Sequence, residues 1–170
     1  MPTLRPGKGA PPLRALFFDV DGVLTDGRIF LGEDGTEFKI FDTKDGHGIK
    51  KALGAGLRVA WISGRTSRAT ATRARELGVA TVRQGVKEKL SVYEEICGRW
   101  GVTASETAAM GDDEPDVPLL QAAAFSACPA DATDPARRAA KVVLKRPGGH
   151  GAAREFIEYI LRYNALVARR

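Results

Sequence analysis

Cysteine is nearly absent from this 170-residue chain: only Cys97 and Cys128 occur, far apart and in no CxxC pair. That excludes a zinc knuckle and a disulfide framework, and it predicts two reduced, buried thiols. Aromatic residues make up only 7%, yet the hydrophobic total reaches 44% against 28% charged, enough for a sizeable core and too little bias for disorder or a collagen-like chain. No run approaches the roughly 18 apolar residues of a membrane span, and the first residues contain no hydrophobic signal core. A cytoplasmic protein is the expectation. Length argues for one domain at the usual scale of roughly 150 residues, which excludes a second full catalytic domain.

A large excess of one charge is also missing. Lys and Arg total 26 against 21 acids, for a net charge of +5. Arg5, Lys8, Arg14, Arg169 and Arg170 lie in terminal stretches without acids, leaving a body of 21 bases and 21 acids. A general polyanion-binding surface is therefore not expected, and neither nucleic acid nor membrane is an expected partner.

Residues 1–13 contain four prolines and two glycines without periodicity and read as a disordered tail. A single domain is expected over 14–166, with a basic tail at 167–170. From Ala15 onward, short apolar runs alternate with helix-forming stretches. The runs are Ala15–Phe18, Val59–Ile62, Val79–Val82, Ala108–Met110, Phe125–Cys128 and Val142–Leu144, a pattern that suits strands buried on both faces. Leu90, Tyr93, Cys97 and Trp100 recur at helical spacing within 87–100 and predict one apolar helix face. Thr103 and Glu106 form a capping-box pattern, and Asp134-Pro135 reads as an N-cap followed by proline. The alternation predicts an α/β fold, a doubly wound parallel sheet. One segment interrupts it: Arg28–Phe41 reads as a protruding β-hairpin, with Ile29 and Leu31 on one arm, Phe38 and Ile40 on the other, and Gly32–Gly35 as the turn. An isolated hairpin is marginal in water, so this one requires a packing partner.

Ligands of open α/β sheets bind beyond the carboxyl ends of the strands. The first run ends at Asp19-Val-Asp21-Gly22, and the fourth at Gly111-Asp112-Asp113 with Asp116 following. A single carboxylate at a strand end is often only a cap, but two acidic clusters at equivalent ends repel each other unless a hard cation such as Mg²⁺ compensates them. The second run ends at Ser63-Gly64-Arg65, and Lys87 and Lys89 precede the long helix. In chain order these are two acids, a hydroxyl, a lysine and a second acid pair.

That ordered set resembles the four motifs of the haloacid dehalogenase superfamily of phosphatases, over about 14–161. Within it the chain is similar to the phosphatases of 3-deoxy-D-manno-octulosonate 8-phosphate, a likeness carried by Asp19–Gly27, Asp45–Ile49, Gln84-Gly85 with Lys89-Leu90, Gly111–Pro118 and Gly148–Glu155. Ser63 stands in place of the commoner threonine, His47 in place of tyrosine and His150 in place of arginine. The resemblance implies a capless fold and a Mg²⁺-dependent phosphomonoesterase of lipopolysaccharide precursor synthesis. It implies Asp19 as nucleophile and Asp21 as general acid and base. Metal ligands would be Asp19, the Asp21 carbonyl and Asp112, with Asp113 and Asp116 behind them, and the phosphate would be held by Ser63, Gly64 and Lys89. Arg65, Arg73, His150 and Arg154 are candidates for the sugar's second anionic end, and the role of Lys87 beside Lys89 is open.

Too few residues separate Asp21, Ser63 and Lys89 for a lid domain. Cover could come from a neighbouring copy, which would also give the hairpin its partner, and the resemblance implies a homotetramer with hairpin-mediated contacts. Three other readings stay open: a phosphatase of another acidic sugar phosphate, such as a nonulosonate 9-phosphate; a non-catalytic tetramerisation module; and a phosphoacceptor receiver domain, whose motif order differs.

Overall fold

A computed structural model of the chain describes residues 7 and 9–169. Eight strands and six helices follow in the order β1 (Ala15–Phe18), β2 (Phe30–Leu31), β3 (Glu37–Phe38), α1 (Thr43–Gly54), β4 (Arg58–Ile62), α2 (Arg68–Leu77), β5 (Thr81–Arg83), α3 (Lys89–Trp100), β6 (Thr107–Met110), α4 (Val117–Ala122), β7 (Phe125–Cys128), α5 (Asp134–Ala139), β8 (Val142–Val143) and α6 (Ala152–Val167). Six strands form one parallel sheet in the order β5-β4-β1-β6-β7-β8. β1 lies between β4 and β6, with Phe18 level with Trp61 and Met110. The residues that follow these three strands therefore emerge side by side at one sheet edge.

Period-two alternation divides each strand between two cores. Leu16, Phe18, Val59, Trp61, Ala108 and Met110 face one side, covered by α1, α2 and α6. Ala15, Phe17, Ala60, Ile62 and Ala109 face the other, covered by α3, α4 and α5. Tyr93 and Cys97 supply the buried stripe of α3 together with Ile96, while Leu90 and Trp100 are partly buried at its margin. Cys97 and Cys128 are free and buried. The capping box at Thr103 and Glu106 forms. The N-cap of α5 is Thr133 rather than Asp134, because the Thr133 backbone and hydroxyl both donate to the Asp112 carbonyl and fix the chain one residue earlier.

Of the tail expected at 1–13, residues 1–6 and 8 lie outside the described residues, as does Arg170 of the tail expected at 167–170. The segment just before β1 is tied down. Leu13 is buried, its N–H donates to Asn164 Oδ1 at 2.8 Å and its carbonyl accepts from Asn164 Nδ2 at 2.7 Å, while Tyr163 donates to the Pro11 carbonyl. A proline-rich composition masked this anchoring because its partners lie on α6, some 150 residues away.

β2 and β3 form the antiparallel hairpin, with Phe30 opposite Phe38 and Leu31 opposite Glu37. Its regular ladder is shorter than the sequence pattern. Ile29, Phe30, Leu31, Phe38 and Ile40 are all exposed, Leu31 at 68%, Phe38 at 63% and Ile40 at 64%. No described helix is long and apolar enough to cross a membrane.

Candidate active site

β1 delivers Asp19 to the sheet edge, where its N–H donates to the Met110 carbonyl of β6 and continues the ladder one residue beyond the strands. The chain then turns sharply, with the Val20 carbonyl accepting from Val23, Leu24 and Thr25. Gly22 is required here: its φ is +89°, and a Cβ would collide with the Asp112 carboxylate. β6 delivers Asp112, and Gly111 leaves the space that the Asp116 side chain fills.

Three carboxylates consequently converge. Ligand atoms of Asp19, Asp112 and Asp116 lie within 4.8 Å of one another. Lys89, at the start of α3, donates to Asp19 Oδ1 at 2.7 Å and to Asp116 Oδ1 at 2.6 Å, and all three side chains are almost fully buried. The other Asp116 oxygen accepts from the Asp112 and Asp113 N–H groups at 3.0 and 3.2 Å. Asp116 is thus occupied as a buttress. Asp113 is exposed and caps the short 3₁₀ turn Glu114–Asp116. Asp112 Oδ1 is buried without a hydrogen-bond partner.

The electrostatics follow from this crowding. Burial, reinforced by Asp116 and opposed by Lys89, pushes Asp19 up to about 7. Burial, reinforced by Asp19 and Asp116, pushes Asp112 up to about 8. For Lys89, burial acts downward but is outweighed by Asp19 and Asp116, so its ammonium is held more firmly than usual. One cation cannot neutralise three carboxylates. An orphaned Asp112 oxygen beside a strained Asp19 is the donor set that a hard, oxygen-seeking divalent ion fits.

Ser63, Gly64 and Arg65 follow β4. Ser63 is buried, and its hydroxyl oxygen accepts from the Arg65 N–H at 3.1 Å and points toward Asp21 Oδ2, 3.5 Å away. A single cleft of about 460 Å³ is lined by Asp19, Asp21, Ser63, Gly64, Arg65, Lys87, Lys89, Asp112, Asp113 and Asp116, along with Val86 and Pro115. It has the dimensions of a small-molecule site.

Arg73, His150 and Arg154 do not line that cleft. Arg73 pairs with Glu76 at 2.8 Å and stacks over Phe41 beneath the hairpin. Arg154 pairs with Glu158 at 2.8 Å on α6. His150 is exposed, in the loop before α6. The glycines of that loop approach the protein's own backbone: a Cβ on Gly148 would strike the Gly22 carbonyl, one on Gly149 would strike Thr25, and the Gly149 N–H donates to the Val23 carbonyl at 3.0 Å. Asp45, buried on α1, caps α6 by accepting from Gly151 and Arg154 N–H groups at 3.0 and 2.7 Å.

Sequence reasoning missed Lys39. Its ammonium contacts Asp21 Oδ1 and lies 3.5 Å from Glu37 Oε1, and its side chain is 2% exposed. Glu37 in turn accepts from Arg65 at 2.7 Å. The signal was present in the strict alternation Glu37-Phe38-Lys39-Ile40, whose apolar members were read and whose charged members were not.

Comparison with known proteins places this geometry in context. The profile of haloacid dehalogenase-like hydrolases matches residues 80–156. The 3-deoxy-D-manno-octulosonate 8-phosphate phosphatase of Escherichia coli is 36% identical over 152 residues, 89% of this chain and 81% of its own. Among solved structures, the Moraxella catarrhalis phosphatase of that name, in complex with magnesium, phosphate and KDO, is 33% identical with a TM-score of 0.87 and covers 92% of both chains. The cobalt-bound enzyme from Haemophilus influenzae is 37% identical with a TM-score of 0.87, covering 90% of each.

Proposed function

Because the chain belongs to the 3-deoxy-D-manno-octulosonate 8-phosphate phosphatases of the haloacid dehalogenase-like hydrolases, we infer that it is a Mg²⁺-dependent phosphomonoesterase that hydrolyses this octulosonate 8-phosphate to KDO and phosphate. The observation that carries the reading is the convergence of Asp19 and Asp112 beside Lys89, with one buried Asp112 oxygen unpartnered. Asp19, the Asp21 carbonyl and Asp112 would hold the ion. When bound, Mg²⁺ supplies positive charge that lets a carboxylate and a phosphate approach each other.

Asp19 attacks phosphorus through a carboxylate oxygen while the bond from phosphorus to the sugar oxygen breaks, giving a phosphoaspartate. Asp21 gives its proton to the departing sugar oxygen, then takes one from the water that attacks the phosphoaspartate and releases phosphate and Asp19. Ser63 and the Gly64 backbone address the non-bridging oxygens, as does Lys89, while Asp113 and Asp116 hold the loop and Lys89 in place. Phosphate-ester hydrolysis needs acceleration of up to roughly 10²¹-fold, which is why so many fixed charges converge. Arg65, held at the cleft mouth by Glu37, is assigned to the sugar carboxylate. Arg73, His150 and Arg154 could reach a substrate only from a neighbouring copy.

The hairpin's exposed apolar side chains support a homotetramer in which hairpins pack on neighbouring copies. The two buried free thiols support a reducing, cytoplasmic location. The test is phosphate release with Mg²⁺ from octulosonate 8-phosphate set against nonulosonate 9-phosphates. A higher kcat/KM for the octulosonate is expected, and no release from either substrate would overturn the reading. Asp19→Asn should leave less than about one per cent of activity, since a lost nucleophile removes several powers of ten.

A further inference from the structure

Asp21 stands on a turning loop, with its side chain 19% exposed. One of its oxygens, Oδ2, lies 3.5 Å from Ser63 Oγ, and both residues line the cleft. The other contacts the Lys39 ammonium. Lys39 comes from the hairpin, 18 residues further along, and its side chain is 2% exposed although its neighbours Phe38 and Ile40 are 63% and 64% exposed. Burying an ammonium this deeply is unfavourable unless it meets paired carboxylates, and Asp21 and Glu37 supply them. Because Lys39 is an extended arm from a two-stranded ribbon, its ion pair fixes Asp21 Oδ1 and leaves Oδ2 turned toward the cleft.

We propose that Lys39 is a positioning residue for the reaction: it holds the Asp21 carboxyl so that the free oxygen faces the bridging oxygen of the substrate, where the proton is transferred. This rests on the reading of Asp21 as the acid and base. Lys39 itself exchanges no proton and touches no phosphate oxygen. In the first half-reaction the contribution lies in proton delivery and matters only where the leaving group needs a proton, whereas the attack of water on the phosphoaspartate is common to all substrates. An alkyl sugar oxygen needs that proton; p-nitrophenolate departs without it.

The experiment uses the full-length enzyme with saturating Mg²⁺ and two substrates, octulosonate 8-phosphate and p-nitrophenyl phosphate. In single-turnover release of the leaving group, which reads only the first half-reaction, Lys39→Ala should lower the rate on the sugar phosphate by about 100-fold, the usual scale of a misplaced general acid, and on p-nitrophenyl phosphate by less than about threefold. Methylammonium or ethylammonium should restore part of the sugar-phosphate rate, because a small cation can occupy the vacated position. Asp21→Asn is run beside it and should show the same discrimination between leaving groups. If Asp21→Asn discriminates and Lys39→Ala does not, the positioning role is overturned while the reading of Asp21 stands. If Asp21→Asn fails to discriminate, that reading fails and the proposal with it. Should Lys39→Ala melt early, Lys39→Met keeps the aliphatic stem and Lys39→Arg keeps the charge. Equal losses on both substrates in Lys39→Met, with no recovery in Lys39→Arg, would reduce Lys39 to an anchor of the hairpin.

Discussion

The Lys89 ammonium lies 2.7 Å from Asp19 Oδ1, in a cluster of three carboxylates that lines the cleft, with the Lys89 and Asp19 side chains almost fully buried. It touches the buttress Asp116 on its other side. Lys89→Met should lower kcat by about 100- to 1,000-fold, the scale of losing a preorganised charge in a dry site. The same substitution removes a positive charge beside the metal position, so half-saturation by Mg²⁺ should occur at equal or lower concentration. A Mg²⁺ titration of phosphate release separates the two effects. Half-saturation shifted to higher Mg²⁺ would mean that the cluster had collapsed instead.

Asp112 carries the orphaned buried oxygen and is the residue that Gly22 makes room for. Asp112→Asn retains volume and removes a charge. Its activity should fall steeply at low Mg²⁺ and recover in part when Mg²⁺ is raised about 100-fold, because one ligand's share of affinity has been lost. A defect that ignores metal concentration would remove Asp112 from the metal site.

Without metal, stability should depend on pH in a defined direction. Asp19 at about 7 and Asp112 at about 8 both stand above the ordinary 3.8, so folding favours their protonated forms. That contribution is fully present below about pH 4 and is lost as pH rises through about 7 to 8. Buried Asp45, also shifted upward by burial, adds in the same direction. In EDTA, Tm should fall by at least about 3 °C between roughly pH 5 and pH 8.5, the shift that about 1 kcal/mol produces in a chain of this size. Added Mg²⁺ binds the ionised carboxylates, so its stabilising effect should grow across the same interval. A flat metal-free profile would show that Asp19 and Asp112 ionise freely.

Much of this site was legible because its residues sit immediately after apolar runs buried on both faces. Short runs of this kind, alternating with helix-forming stretches, suit central parallel strands; Asp19 and Ser63 follow two of them directly, and Asp112 follows a third after Gly111. What lay hidden depends on chain segments folding back from a distance. Lys39 reaches Asp21 only because the hairpin folds back against Asp21 and Arg65, and a lysine on a hairpin arm looks solvated until that path is known. At Gly148 and Gly149, composition reveals freedom of backbone but not that the protein's own backbone at Gly22 and Thr25 is what approaches. Leu13 was hidden for a similar reason, since its partner Asn164 stands at the other end of the chain.

The hairpin presents Phe30 opposite Phe38 with both rings exposed. Phe38→Glu places a charge in the middle of that patch, where water accepts it and an interface does not. Sedimentation velocity should show the proposed homotetramer dissociating toward smaller species while the helical circular dichroism stays intact. An unchanged sedimentation coefficient would remove the hairpin from the contacts between copies.

The loop between β8 and α6 bears directly on the nucleophile. Its Gly148 meets the Gly22 carbonyl and its Gly149 meets Thr25, so the loop closes over the backbone that carries Asp19 and Asp21. Deleting everything from Gly148 onward would also delete α6, whose Phe156, Ile157 and Ile160 are fully buried, so a truncation would read folding rather than chemistry. Gly148→Ala is the sharper test, because its single added carbon must displace backbone, which cannot rotate away as a side chain can. A shift of about 1 Å in the nucleophile loop is worth on the order of 100-fold in rate. We therefore expect kcat to fall at least about tenfold on octulosonate 8-phosphate and on p-nitrophenyl phosphate alike, since both react at Asp19. His150→Ala alters the same loop without touching its seat and should leave the rate on p-nitrophenyl phosphate unchanged. If Gly148→Ala instead raises KM for the sugar phosphate alone, the segment recognises the sugar and does not hold the nucleophile in place.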